Sequence, residues 1–471
     1  MKNLFLSLLF FSISVYPNDL PELGSHFDNL INLSDEKKIK FEILSKVYQS
    51  NSLITDLEIN DYIEKLGREL SVKGTKEKLD IKFFILNDSS INAFAMLGGI
   101  IGIHSGLILA ANSESELASV ISHEIAHITQ KHLLRLFDSQ ARNSYKSYIA
   151  IAIAILAARS NPQVASGAIA AANASSIQNT LDFTRENEKE ADRVGLEILL
   201  KSGYDPKGFV DFFQTIDKFN EFSSGAAPAF LRTHPITGER ISDIQDRLKE
   251  YRFIQKSSDI DFYLVKAKLK VFLGDKEYIT NYFMKEIKEK KSLNENASYF
   301  GLVHAYLRNN KIDEARKNFD ILKYKNIKSP MLFQLESKLL ISEKNYLGAY
   351  KILNIGLKEF PTNKSLIYEF VNLLINLNKS QQAISFLKKY ENLYSTKSFL
   401  YELYAKAYAA NGQILLQHEN LSSYFYYRYD LDEAIIQMDL ANKSGEGNFY
   451  EKSRVEFRLN ELKREADLLI N

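Results

Sequence analysis

The hydrophobic positions of the N-terminal half change their period several times, which predicts both helices and strands. Residues 34–72 carry apolar side chains at helical spacing in two runs, DEKKIKFEILSKVYQS and DLEINDYIEKLGREL, and these predict two amphipathic helices. Three short runs rich in Ile or Phe end at Asp or Gly and predict strands: LDIKFFILND, INAFAMLGG and GIIGIHSG. We therefore expect a small β-sheet accompanied by helices.

A long helix is predicted to begin next to Ser113. Ser113 and Glu116 have the S-x-x-E spacing of a capping box. The segment that follows, ESELASVISHEIAHITQKHLLRLF, contains neither glycine nor proline and predicts one helix that continues to Phe137. A further helix over ENEKEADRVGLEILLKSG is expected to end with Gly203 as its C-cap.

The C-terminal half repeats every 34 residues. Ala315, Ala349 and Ala383 share this spacing. An apolar residue follows each alanine by four positions and another precedes it by nine: Phe319, Leu353, Leu387, Tyr306, Leu340 and Leu374. A tetratricopeptide (TPR) solenoid has this period, whereas an unrelated helical bundle has no reason to keep it. The predicted fold is α+β but mostly α, with domains over 15–255 and 256–471.

Length and composition narrow the possible classes of protein. A chain of 471 residues exceeds one ordinary core, and 45% hydrophobic with 25% charged residues is typical of globular domains. A net charge of +1 gives no electrostatic sign of nucleic-acid binding. The absence of cysteine excludes a lipoprotein anchor, disulfides and thiolate metal sites. Any metal must therefore be held by His, Asp or Glu.

Two apolar segments raise the question of a membrane. Residues 1–14 combine Lys2, a short apolar run and small residues before the expected cut after Ser14, which predicts a cleaved signal peptide and export. Residues 149–158 are apolar but too few to span a bilayer. A buried or cleft-lining helical hairpin is expected there, with membrane contact as the alternative, so no stable membrane span is predicted.

The stretch HEIAH at residues 123–127 predicts a catalytic zinc ion. On a helix, His123 and His127 project from one face and can both reach one ion. Glu124 lies beside them, where it can act as the base that activates a water molecule. The alternative is a chance match on a surface helix, but the apolar neighbours predict a buried helix whose polar groups need a ligand.

The third metal ligand must come from elsewhere in the chain. Glu188 and Asp192 in RENEKEAD stand four apart and share a helix face. One carboxylate could bind metal while the other orients a ligand histidine. Glu186 and Glu190 are expected on a solvated face. Other histidines also remain candidates, so these residues alone leave the third ligand open.

HEIAH followed some sixty residues later by ExxxD, together with INAFAMLGG and THP, resembles the HtpX- and CAAX-prenyl-protease-like zinc peptidases, metallopeptidase family forty-eight. With the signal peptide and the TPR repeats, the whole chain resembles the periplasmic members of that family. The resemblance implies one zinc ion per chain, held by His123, His127 and Glu188, with Glu124 as base and Asp192 in support. It also implies that an edge strand, formed by Asn92, Ala93, Phe94 and Ala95, receives the substrate as an added strand.

The segment RTHPITGER contributes two more candidates. By resemblance, His234 lies on a loop over the metal, and we hypothesise that it occupies the fourth zinc position and keeps the enzyme latent until the loop moves. Arg240 could hold this region together or stabilise an oxyanion. His132, five residues after His127, lies off the ligand face of a continuous helix and is predicted to be structural.

The predicted function is zinc-dependent hydrolysis of peptide bonds in the periplasm. By resemblance, the substrates are misfolded or stalled outer-membrane β-barrel proteins, and the partners are the barrel-assembly machinery and the lipopolysaccharide translocon protein LptD. The solenoid provides an extended surface suited to proteins. The alternative is a non-proteolytic TPR chaperone or scaffold, although a chain that had lost catalysis would be expected to lack Glu124 or a ligand.

Overall fold

The computed structural model describes most of the chain. The described residues are 33–50, 52–75, 79–138, 185–222, 228–251, 258–325 and 327–470. The predicted signal peptide over 1–14 and the predicted hairpin over 149–158 lie outside them. None of the described helices combines the length and the apolar character that crossing a bilayer requires.

The N-terminal elements are two helices, then three strands, then further helices, as their hydrophobic periods predicted. In chain order they are α1 (Leu33–Gln49), α2 (Leu57–Gly74), β1 (Lys82–Leu86), β2 (Ala93–Met96), β3 (Ile100–His104), α3 (Ser105–Ala110), α4 (Glu114–Thr129), α5 (His132–Asp138), α6 (Arg185–Lys201), α7 (Gly208–Phe222), α8 (Ala229–Thr233) and α9 (Gly238–Leu248). Gly203 follows α6 with φ +82°, the left-handed conformation of a C-cap glycine.

The three strands form one sheet in the order β1-β3-β2. β1 is parallel to β3, whereas β2 is antiparallel to it and lies at an edge. Gly98 and Gly99 make the β2–β3 turn with φ of +78° and +69°, a conformation that glycine adopts without a steric cost. Ile85 and Ile101 face the core shared with α2 and α4, while Phe84 and its neighbours on the opposite face pack under α1.

The long helix predicted from Ser113 to Phe137 is in fact two helices, so that prediction was wrong. α4 ends at Thr129, Lys131 adopts φ +53°, and α5 begins at His132. A left-handed lysine costs roughly 1–2 kcal/mol. Packing of Leu133 and Leu134 against the α1 side of the sheet offsets this cost. The break thus depends on tertiary contacts, and its sequence contains neither glycine nor proline.

The C-terminal elements are paired helices, and the predicted mostly-α fold with a TPR solenoid is confirmed. They are α10 (Ile260–Leu273), α11 (Lys276–Glu289), α12 (Glu295–Arg308), α13 (Ile312–Tyr324), α14 (Pro330–Ser342), α15 (Tyr346–Glu359), α16 (Lys364–Asn376), α17 (Ser380–Leu387), α18 (Glu391–Tyr394), α19 (Ser398–Ala410), α20 (Ile414–Tyr426), α21 (Leu431–Lys443) and α22 (Phe449–Ile470), with a 3-10 turn over Lys388–Tyr390. Ala315, Ala349 and Ala383 are fully buried, because small side chains allow neighbouring helices to approach closely.

Helix α2 connects the solenoid to the helices of the N-terminal half. Buried Glu58 on α2 accepts a hydrogen bond from Lys268 of α10, with Nζ 2.5 Å from Oε2. Two further lysines of the solenoid, Lys364 and Lys397, bond to Glu64 on the same helix. Burial opposes ionisation of Glu64, but these lysines lower its pKa to about 2. Because α2 also packs in the core with α4 and α6, the solenoid supports the helices that carry the candidate site.

Candidate metal centre

Helix α4 positions the two histidines and the glutamate of HEIAH. The helix begins where Ser113 Oγ accepts the Glu116 N–H at 3.2 Å, and its residues from Glu114 to His127 are all buried. The Nε2 atoms of His123 and His127 lie 3.1 Å apart. The spacing of four residues on a helix therefore brings the two ring nitrogens together in the interior.

Two other elements bring a carboxylate and a third imidazole to the same point. Glu188 of α6 places Oε2 3.5 Å from His123 Nε2 and Oε1 3.5 Å from His127 Nε2. His234, directly after α8, places Nδ1 3.0 Å from Glu188 Oε1 and 3.3 Å from His123 Nε2. Helices α4 and α6 can approach this closely because Gly195 lies against the His123 backbone, where an added Cβ would be 3.1 Å from Cα.

The donor set fits a small tetrahedral cation. His123, His127, Glu188 and His234 are all buried, and one ligand atom from each lies within 4.8 Å of the others. At zinc–ligand bonds of about 2.0–2.2 Å, tetrahedral ligand atoms are about 3.3–3.6 Å apart, close to the separations observed here. Lone pairs that converge in a buried space repel one another unless a proton or cation lies between them. Nitrogen and carboxylate donors in this arrangement suit zinc.

Asp192 and Arg240 contact two members of the cluster, His123 and Glu188. Asp192 Oδ1 lies 3.0 Å from His123 Nδ1, the nitrogen that faces away from the other donors. Arg240 donates to both oxygens of Asp192, from Nε at 2.6 Å and Nη2 at 2.7 Å, and Nη1 lies 2.9 Å from Glu188 Oε2. Burial raises the pKa of Asp192, but the Arg240 hydrogen bonds lower it below its usual value. Of the two roles left open for Arg240, these contacts favour holding the region together.

Within the cluster, the pKa of His123 is raised and the pKa of Glu188 is lowered, which favours a positive histidine beside a negative carboxylate. Burial opposes protonation of His123, but hydrogen bonds to Asp192 and Glu188 raise its pKa to about 9. Burial also opposes ionisation of Glu188, yet the adjacent histidines, His234 first, hold its pKa well below the usual range. A metal ion that binds between these groups must therefore displace a proton from His123.

Glu124 faces the cluster and has no hydrogen bond among the described residues. Its side chain is fully buried, and neither carboxylate oxygen has a hydrogen-bonding partner. His234 Nε2 lies 3.4 Å from Glu124 Oε1. A buried polar side chain without a hydrogen bond is costly, and this one lies next to the group of candidate metal ligands.

Sequence reasoning missed a second network beside His127. His132 is fully buried, with Nδ1 2.8 Å from His127 Nδ1 and Nε2 3.1 Å from Glu190 Oε2. Arg135 Nη2 lies 2.8 Å from the same Glu190 oxygen. Glu190, expected on a solvated face, thus makes two hydrogen bonds. A continuous α4 would have carried His132 away from His127, and no signal in the sequence indicated the break at Lys131.

The predicted substrate strand lies at the edge of the sheet, next to α4. Asn92 precedes β2, and Ala93, Phe94 and Ala95 belong to it. The Asn92 side chain is fully buried without a hydrogen bond among the described residues. Ile91 O accepts the Phe230 N–H of α8 at 3.1 Å, which ties the start of this strand to the segment that carries His234. Binding of substrate by these residues stays a prediction.

Part of the chain matches one family description, and nearly all of it is similar to named proteases. Residues 54–248 match the description "Peptidase family M48". The beta-barrel assembly-enhancing protease of Escherichia coli K12 is 28% identical over 446 residues, which cover 94% of this chain and 91% of that protein. A putative beta-barrel assembly-enhancing protease of Vibrio cholerae serotype O1 is 38% identical over 254 residues, 54% of this chain and 52% of that protein. A solved tetratricopeptide repeat protein from Parabacteroides merdae aligns with 63% of this chain and 97% of its own length, at 16% identity and a TM-score of 0.30.

Proposed function

From the match of residues 54–248 to peptidase family M48, we propose that the chain is a zinc-dependent endopeptidase of the periplasm. Its proposed substrates are outer-membrane β-barrel proteins that have stalled or misfolded during assembly. The observation that carries the proposal is the buried group of His123, His127, Glu188 and His234 beside Glu124. Similarity over 94% of the chain to beta-barrel assembly-enhancing proteases supports the substrate class.

The proposed ligands are His123, His127 and Glu188, with His234 at the fourth position of one zinc ion per chain. When bound, zinc lowers the pKa of water and polarises the carbonyl of a scissile peptide. Asp192 accepts a hydrogen bond from His123 Nδ1–H, which leaves the Nε2 lone pair directed at the other donors. Arg240 contacts the two buried carboxylates of Asp192 and Glu188, offsets part of their charge and fixes their positions.

Glu124 is the proposed catalytic base. No described residue donates a hydrogen bond to its carboxylate, which leaves both oxygens available to an attacking water. In the proposed mechanism it takes the proton of the attacking water and delivers it to the leaving amine. The edge strand from Asn92 to Ala95 lies beside α4, where an added substrate strand would run past the site.

The proposed division of the chain is a peptidase domain over 15–255 and a TPR solenoid over 256–471. The solenoid is proposed to bind proteins. Stacked helix pairs from α10 onward give an extended surface suited to polypeptides. By resemblance, the barrel-assembly machinery and LptD are the proposed partners. Export through the signal peptide over 1–14 would bring the enzyme to them.

Zinc removal tests the proposed function. The exported protein and its His234→Ala variant are incubated with an unfolded outer-membrane β-barrel protein, with zinc bound, after chelation and after zinc is restored. We expect cleavage only in zinc-loaded samples, and the same barrel protein folded in detergent should resist cleavage because its strands are paired. If neither zinc-loaded protein cleaves, yet both keep the barrel protein from aggregating, the chaperone or scaffold alternative is correct.

His234 is expected to act as a gate over the metal centre. The His234 ring lies between two carboxylates, with Nδ1 3.0 Å from Glu188 Oε1 and Nε2 3.4 Å from Glu124 Oε1. In the proposed mechanism, an attacking water can enter this space only when the ring moves. We expect His234→Ala to raise the rate of casein cleavage about tenfold, the gain for an open state populated at roughly 10%. His304→Ala, which removes a partly buried histidine of the solenoid, is the control. An unchanged rate in His234→Ala at unchanged zinc content would refute the gate.

A further inference from the structure

We infer that His132 is a positioning residue of the metal centre, which fixes the tautomer and the orientation of the His127 ring and is itself fixed by Glu190 and Arg135. The inference rests on the proposed function, because it concerns how the same metal site is held. It assigns a role to three residues that lie outside the donor set.

Each of the two α4 histidines uses one ring nitrogen for the cluster and the other for a supporting contact. His123 turns Nε2 to the donors and Nδ1 to Asp192 at 3.0 Å. His127 likewise turns Nε2 to the donors, and its Nδ1 lies 2.8 Å from His132 Nδ1. The supporting group is a carboxylate for His123 and an imidazole for His127. His132 thus stands in the position that a carboxylate occupies in the more common arrangement.

The protons in this network can be assigned from the requirement of metal binding. A ligand nitrogen must offer a lone pair, so His127 Nε2 carries no proton and Nδ1 does. His132 Nδ1 must then accept that proton's hydrogen bond. The remaining proton of a neutral His132 is on Nε2, which faces Glu190 Oε2 at 3.1 Å. Each donor along the chain from His127 to Glu190 therefore meets an acceptor.

Glu190 is anchored in turn by Arg135. Arg135 Nη2 lies 2.8 Å from the Glu190 oxygen that contacts His132. Arg135 Nη2 and His132 Nε2 both face this one Glu190 oxygen, and the contact fixes His132 in the tautomer whose Nδ1 accepts from His127.

The break between α4 and α5 makes this contact possible. On a continuous helix, a residue five positions on is rotated by about 140° around the axis, which would turn His132 away from His127. The left-handed Lys131 interrupts the helix and redirects the chain, so that His132 becomes the first residue of α5 and is fully buried against His127. The strained lysine and the network of His132 therefore belong to one arrangement.

The alternative is that His132 only fills space in the core. The two roles differ in what zinc does for stability, because a ligand that binds only the folded state stabilises it by an amount that grows with the logarithm of its affinity. Loss of packing would lower the melting temperature equally with and without zinc. Loss of positioning would lower zinc affinity and shrink the zinc-dependent rise in melting temperature.

The test compares zinc affinity, by competition with a chromophoric chelator, in wild type, His132→Phe, His132→Asn and Glu190→Gln. Phenylalanine keeps a ring without nitrogens, whereas asparagine keeps one acceptor and one donor. We expect His132→Phe to weaken zinc binding about 10–100-fold, as is typical of lost supporting contacts, and the other two variants to weaken it less. Glu186→Gln, an exposed glutamate of the same helix, is the control and should bind zinc as wild type does.

Each outcome has a separate meaning. If His132→Phe does not fold, the inference is decided by His132→Asn and Glu190→Gln, which must bind zinc measurably more weakly than Glu186→Gln. Wild-type affinity in all the folded His132 and Glu190 variants, or an equal fall in melting temperature with and without zinc, would overturn the inference. If wild type itself binds no zinc, the proposed function fails instead.

Discussion

Replacing Glu124 by glutamine is expected to slow peptide hydrolysis by about 10²–10⁴-fold, the usual contribution of a positioned general base. Glutamine has nearly the same shape but cannot take up a proton. The protein should still bind zinc, because Glu124 is not among the four donors. Stability should be unchanged or higher, since the wild-type carboxylate is fully buried without a hydrogen bond.

The measurement is the rate of casein cleavage by zinc-loaded wild type and Glu124→Gln, with zinc per chain determined on the same samples. If the resting enzyme is latent, neither protein would cleave casein. Both are therefore also made in the His234→Ala background, in which the proposed gate is removed. Glu116→Gln is the matched control, because Glu116 is a buried glutamate of the same helix, bonded to Asn112 and Thr215 instead of facing the cluster. Cleavage by Glu124→Gln at the wild-type rate would place the hydrolytic activity elsewhere.

Replacing Glu188 by alanine is expected to remove both zinc and activity. Glu188 is the single carboxylate among the four donors, and it contacts all three histidines of the cluster. Loss of a supporting contact already costs about 10–100-fold in metal affinity, so loss of a ligand should cost more than about 100-fold. The variant also leaves Arg240 with one buried carboxylate fewer, which should lower stability in the metal-free state.

Metal analysis after dialysis against micromolar zinc and melting curves with and without zinc would measure both effects. Glu186→Ala is the control on the same helix: its side chain is exposed and its loss should change neither quantity. A Glu188→Ala protein that keeps one zinc ion with wild-type affinity would show that the carboxylate is not a ligand. The ion would then have to be held by His123, His127 and His234 alone.

The elements that carry the site could be predicted from local pattern. Residues i and i+4 share a helix face whatever the rest of the chain does, so His123 and His127 had to converge once α4 formed. The same rule relates Glu188 to Asp192 on α6. The 34-residue spacing of Ala315, Ala349 and Ala383 likewise reports the packing of neighbouring helices, because each repeat must bury the same face against the next.

Contacts between distant segments could not be predicted in this way. His234 approaches Glu124 across 110 residues and Arg240 approaches Asp192 across 48, and no local period relates these positions. Family resemblance pointed to His234, whereas the residues alone left the role of Arg240 open. The structure brings Arg240 to two carboxylates at once, which favours a positioning role over contact with substrate.

The sequence by itself determined the faces of the helices, the strands and the repeating solenoid, because these follow from the short-range geometry of the backbone. Only the tertiary structure decided where α4 ends. Lys131 adopts a left-handed conformation that lysine disfavours, and it does so because burial of Leu133, Leu134 and His132 outweighs the local cost. As a result His132 lies next to His127, whereas a continuous helix would have carried it off the ligand face.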